Sequence, residues 1–253
     1  MRYRLALALL SAFVSAASPS TAMAQGIRNF CAAARQHVEG DFKLSDAVRQ
    51  VFGQPYYGVP SQQDAACIYP LQVLRYGSAD VLLTMGNEPG QACHGCSASL
   101  SAYFLARTGG GLKLVNKAID FGQAGTSGYP GDISPVRIGK DDGIAIESGG
   151  TFQGHTLMLL DFYAFHAGRV VHVEASPRVA LSASDAGAVG DSGPNTDVSG
   201  SWVIPPGASN TLRVEYKVTV GRRRSATSAT WRLIGERWVL SSGGPPKALE
   251  AGQ

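Results

Sequence analysis

Residues 156–175 read TLMLLDFYAFHAGRVVHVEA. A leucine- and aromatic-rich run and a valine-rich run flank Ala167-Gly168, the kind of dipeptide that closes a two-residue hairpin. Such a turn sets position 166 opposite 169, and with it 164 opposite 171, 163 opposite 172, 162 opposite 173 and 161 opposite 174. One face then carries Leu160, Phe162, Ala164, Val171, Val173 and Ala175, and the other Asp161, Tyr163, His172 and Glu174. A slip of one residue would scramble that sorting, so the side chains themselves specify the register. The stretch predicts an antiparallel hairpin with one face in a core.

Working outward, the same period of two runs from Ile68 to about residue 241, with turn residues every ten positions or so. Strands are expected near 69–76, 79–86, 98–107, 112–119, 134–139, 143–148, 156–166, 169–175, 211–220, 227–233 and 236–241. Three hairpins (103–115, 163–173 and 231–240) share a loose aromatic–glycine–apolar pattern, but their spacing is too uneven for a propeller repeat. No alternation of strand and helix is visible, which disfavours a doubly wound parallel sheet. The fold class is therefore mainly β: an antiparallel meander, as a sandwich or open barrel, with a short N-terminal helical segment.

That helical segment lies in 25–55. Asn29 can cap a helix over 30–38, stopped by Gly40. A second helix is expected from Leu44 to Phe52, with apolar residues at 44, 47, 48, 51 and 52, Asp41 or Ser45 as its cap, and Gly53-Gln54-Pro55 as its end. The β domain spans 68–241. Within it, 176–200 is poor in large apolar residues and reads as a long surface loop, and 242–253 reads as a disordered tail. Asp185, Asp191 and Asp197 in that loop are spaced too widely for a calcium loop.

The first 24 residues form a signal peptide: Arg2 and Arg4, an apolar run from Leu5 to Ala17, then Ala22-Met23-Ala24 before Gln25. The run is too short to span a bilayer, and no later segment is long and apolar enough to do so. Cleavage lowers the net charge from +3 to +1 and leaves 229 residues, expected in the periplasm or the medium. Charged residues are 16% and apolar residues 44% of the chain, which excludes a disordered protein. The near-neutral balance argues against a nucleic-acid partner. Arg222-Arg223-Arg224 is the sole basic cluster and reads as a solvated turn. An envelope or protein partner fits an exported chain better.

Four cysteines, Cys31, Cys67, Cys93 and Cys96, allow three connectivities. Local arrangement favours Cys31–Cys67 and Cys93–Cys96. In Cys93-His94-Gly95-Cys96 an imidazole stands beside two sulfurs, which could favour a thiolate and redox exchange. The motif lies between two strands rather than at the helix start that redox proteins use. Haem attachment needs C-x-x-C-H and position 97 is Ser; zinc needs a second ligand pair. A structural bridge is the favoured reading.

Asp161, Tyr163, His172 and Glu174 form a candidate functional face able to hold a metal or exchange protons. As a plain solvated face it would set Asp161 against Glu174 in mild repulsion. His155 has no assignable partner. The chain has no G-x-S-x-G elbow and no H-E-x-x-H. No complete catalytic constellation is legible, and nothing calls for a cofactor or a metal.

The stretch from Cys93 to about Glu174 resembles uncharacterised exported bacterial β-rich proteins with a CHxC motif. The matching features are Cys93-His94-Gly95-Cys96, Leu100 to Phe104, Phe121-Gly122 with Gly125, Ile138-Gly139 with Gly143, and Gly150 with Gln153-Gly154. The resemblance implies secretion and a β-rich body, and it transfers no activity. The sequence thus points to an exported, non-enzymatic binding or envelope-associated β module. A thiol–disulfide redox protein using Cys93 and Cys96, and a metal binder using the hairpin face, are the alternatives.

Overall fold

The computed structural model describes residues 29–57, 67–90, 93–185 and 194–249. The signal peptide read at 1–24 lies outside them. The chain runs β1 (Asn29–Phe30), α1 (Ala34–Gly40), α2 (Phe42–Phe52), β2 (Tyr56–Tyr57), β3 (Ile68–Tyr76), β4 (Ala79–Gly86), β5 (Ala98–Thr108) and β6 (Gly111–Ala124). It continues with β7 (Asp132–Ile138), β8 (Asp141–Phe152), β9 (His155–His166), β10 (Arg169–His172), β11 (Glu174–Ser176) and β12 (Val179–Ser184). The last strands are β13 (Thr196–Val203), β14 (Thr211–Val220), β15 (Arg223–Ile234) and β16 (Arg237–Gly243), followed by a 3-10 turn at Lys247–Leu249. The fold is mainly β with two short helices near the N-terminus, as the sequence predicts.

Two sheets form. The first has the order β2-β1-β3-β4-β5-β6, and the second β11-β16-β15-β14-β13-β12-β9-β8-β7, with β10 also on β9. The predicted 166–169 hairpin closes in the expected register, His166 opposite Arg169 and Tyr163 opposite His172. Ala167 and Gly168 have φ of 48° and 77°, the left-handed pair that a type I′ turn requires. Beyond Val173, whose N–H still donates to the Phe162 carbonyl, the chain leaves β9 and joins β16 in parallel. Residues 169–176 therefore link β9 to β16, and strands β9 and β12 to β16 ring a core that includes Leu160, Phe162, Val214, Tyr216, Trp231 and Trp238.

The other face of β8–β9 is covered in part by the first sheet. Ile144, Ile146 and Tyr163 pack there against Val81, Leu83, Met85, Leu100 and Phe104 of the first sheet. The far side of that sheet takes Leu44, Val48 and Val51 of α2 against Leu82, Tyr103 and Leu105. The order from outside to inside is helices, first sheet, β8–β9, ring. The Tyr76 hydroxyl fastens the two sheets by donating to the Gly143 carbonyl at 2.7 Å.

Three expectations are corrected. The helix expected over 30–38 begins at Ala34, because Asn29–Phe30 pairs with β2 and β3 and Phe30 is buried there. The segment 176–200 is not one loop: it contains β12 and the start of β13. Val179, Ala180, Leu181 and Val198 are buried, and small residues suffice because the neighbouring strands approach closely. A Cβ on Gly200 would stand 2.6 Å from the Leu181 carbonyl oxygen. Of the tail expected to be disordered, residues 242–249 are ordered and Leu249 is fully buried against the ring core; 250–253 lie outside the described residues. Of the two caps considered for α2, Asp41 serves, accepting from the Lys43 and Leu44 amides.

Asp80 on β4 is 4% exposed and sits between Arg75 and Arg107. The hydrogen bond from Arg107 pulls its carboxyl below the ordinary 3.8, against the upward push of burial. A carboxyl depressed in the folded state adds stability that is complete above its unfolded pKa and is lost as pH falls through the folded value. Replacing Asp80 by Asn should lower stability at neutral pH and flatten the acid limb of melting temperature against pH below about 4. A parallel acid limb in variant and parent would refute this assignment.

Candidate functional site

Beyond the ends of β5 and β6, the first sheet stops covering β8, β9 and β12, and a cleft of about 790 Å³ opens. Its floor comes from alternate residues of β9, Leu157, Leu159 and Asp161, which share a face by strand periodicity. Gly149 and Gly150 of β8 and Ala183 of β12 flank them and leave the floor open. A Cβ on Gly150 would lie 2.8 Å from the Thr126 methyl carbon and 3.2 Å from the Phe152 ring. This position must therefore be small for the cleft to stay open.

The rim is laced together. Gly125 has a φ of 74°, and a Cβ there would lie 1.6 Å from the Tyr129 carbonyl oxygen, so the turn at 125–129 requires glycine. The Thr126 hydroxyl donates to the Gly149 carbonyl at 2.9 Å, tying that turn to β8. Gly128 N–H donates to the Cys96 carbonyl, and the Ser127 hydroxyl to the His94 carbonyl. The cysteine loop thus forms part of the rim. Ser97, which follows it, lines the cleft, as does His155, which the sequence left without a role.

Both expected disulfides are present, Cys31–Cys67 and Cys93–Cys96. Cys31 and Cys67 are buried; Cys93 and Cys96 are exposed. His94 Nε2 contacts the Thr151 carbonyl at 3.0 Å, and its ring meets the Phe152 ring edge-on. A carbonyl only accepts, so Nε2 carries the proton and is engaged with the rim.

The structure brings together three of the four residues of the candidate face. Asp161 lies 3.8 Å from His172 Nε2, too far for a hydrogen bond, and the Tyr163 and His172 ring centroids are 5.0 Å apart. Tyr163 is buried beneath the first sheet. Glu174 is not part of the group. It lies on the strand that has crossed to β16, opposite Arg237, with which it pairs at 2.7 Å. The place expected for Glu174 is filled by Arg178, whose Nη2 donates to Asp161 at 3.2 Å. Two carboxylates facing each other would repel, and each faces an arginine instead. Among the described residues no group of three or more His, Cys, Asp or Glu is placed to hold a metal.

Asp161 is well covered, with 15% of its side chain exposed. Burial pushes its carboxyl up, but the His172 imidazole and the Arg178 guanidinium outweigh that and hold it below the ordinary 3.8. It is a carboxylate at neutral pH and is unsuited to act as a general acid there. Arg178 was missed because it opens the segment read as a loop; the alternation of Val179 and Leu181 after it was the available signal.

Comparison of the chain with protein families, curated proteins and solved structures finds no match. No helix among the described residues is long and apolar enough to cross a membrane.

Proposed function

We propose that this is an exported, non-enzymatic binding protein of the cell envelope or medium whose ligand lies in the cleft over β8, β9 and β12. The carrying observation is the cleft itself. Its volume of about 790 Å³ falls within the usual span of small-molecule sites, roughly 300–1,000 Å³. The glycines that keep its floor open and the disulfide-bonded loop on its rim make it a built feature. Asp161, a charged side chain of the cleft that is mostly buried, is committed to an ion pair, which fits holding a ligand better than converting one. Export is supported by the Arg2 to Ala24 leader and by both cysteine pairs being oxidised.

The test is a small-molecule panel against the purified mature chain, read by melting temperature, with Gly150→Val as the comparison. Compounds that raise the melting temperature of the parent should lose that effect in the variant, whose added side chain fills the floor between Thr126 and Phe152. Equal shifts in both proteins, or turnover of a panel compound, would overturn the proposal.

A second reading rests on the exposure of Cys93 and Cys96, which a reductant can reach. If the pair serves in thiol–disulfide exchange, its reduction potential lies above about −300 mV; a structural bridge lies below it.

A further inference from the structure

We infer that the ligand is a monocarboxylate with an apolar body, its carboxylate seated on Arg178; this rests on the cleft being a binding site. Arg178 is the only Lys or Arg among the described residues lining the cleft. Its Nη2 reaches Asp161, and Nε and Nη1 have no hydrogen-bond partner among the described residues. Just over half of the side chain is exposed. Asp161 therefore acts as an anchor. It occupies one corner of the guanidinium, orients the planar group, and leaves the remaining N–H donors to accept a carboxylate in a fork. The guanidinium is held before the ligand arrives, so little side-chain entropy remains to be lost on binding.

The cleft then changes character along β9. Leu159 and Leu157 follow Asp161 on the same face at about 7 Å steps. Facing Leu157 on β12 is Ala183, which also lines the cleft and whose small side chain leaves room for an aliphatic or aryl body. Asp185, with its carboxylate taken up by the Thr196 amide, lines the cleft at the far end of β12 and would repel a second anion. One anionic end and an apolar body are thus what this floor complements.

The test uses 4-phenylbutyrate and its primary amide, which share a body and differ in charge, titrated into the nitrogen-15-labelled mature chain. The acid should shift the amide signals of Gly149, Gly150 and Thr156, with the neutral amide binding about ten-fold weaker or worse. Arg178→Gln should bring the acid down to the level of the amide. Arg237→Gln, on the pair with Glu174 outside the cleft, should leave the preference intact. Equal affinity of acid and amide at those signals overturns the carboxylate inference and leaves the cleft reading standing. Movement by neither probe overturns this inference and counts against the cleft reading as well. The comparison in the parent chain needs no variant to fold.

Discussion

Replacing Cys31 and Cys67 together by alanine is expected to lower stability by roughly 3–4 kcal/mol. The bridge closes a loop across a sequence separation of 36 and restricts the unfolded chain accordingly. It also fastens the N-terminal segment to β3, where the Cys31 amide donates to the Ile68 carbonyl and the α2 face covers the first sheet. For a chain of this size the loss corresponds to about 10 °C in melting temperature. Cys93 and Cys96, only three positions apart, restrict far fewer conformations; the same double replacement there should cost about half as much. Denaturant unfolding of the two double variants decides the matter. Equal losses would mean that the cysteine loop at the cleft rim supports the fold as strongly as the N-terminal bridge does.

That contrast separates what holds the molecule together from what shapes its cleft, and the two differed in legibility. β4 and β14 were readable to the residue, and most other strands to within a few, because most of them run into a glycine-bearing turn. β12 and the start of β13 were not, because β12 is built largely of Ser and Ala and β13 opens on Thr196-Asp197 and carries Ser199-Gly200-Ser201 at its middle. Such residues read as loop until one sees that Gly200 must admit the Leu181 carbonyl. The hairpin register was correct as far as His172; extending it to Glu174 failed because nothing local marks a strand that changes partners after Val173. The cleft draws on separate stretches around Ser97, 123–126, 148–161, Arg178 and 183–185, so only the packed sheets assemble it. Asp161 was singled out for being polar on a patterned strand, and it lies in the lining of the cleft. Its partner Arg178 lay in the stretch whose pattern was weakest.

The strand that changes partners also sets the largest expected loss. Trp231 on β15 is fully buried, stands between Leu212 and Leu240 on the adjacent strands, and donates its indole N–H to the Pro177 carbonyl at 3.2 Å. Pro177 belongs to the short connection after β11, where the chain has joined β16 and turns back to β12. Trp231 thus fills the ring core and holds the connection that closes the ring. Trp231→Ala should cost about 3–5 kcal/mol, from lost burial and from a cavity that the surrounding strands close only in part. Trp231→Phe keeps most of the packing and gives up the hydrogen bond. Loss of that hydrogen bond is expected to cost about 1 kcal/mol. Denaturant midpoints of the three proteins, followed by the fluorescence of Trp202 and Trp238, measure both steps. A loss below about 1.5 kcal/mol for Trp231→Ala would mean that the strands around it are not a closed, packed ring, and the connection through residues 173–178 would lose its structural role.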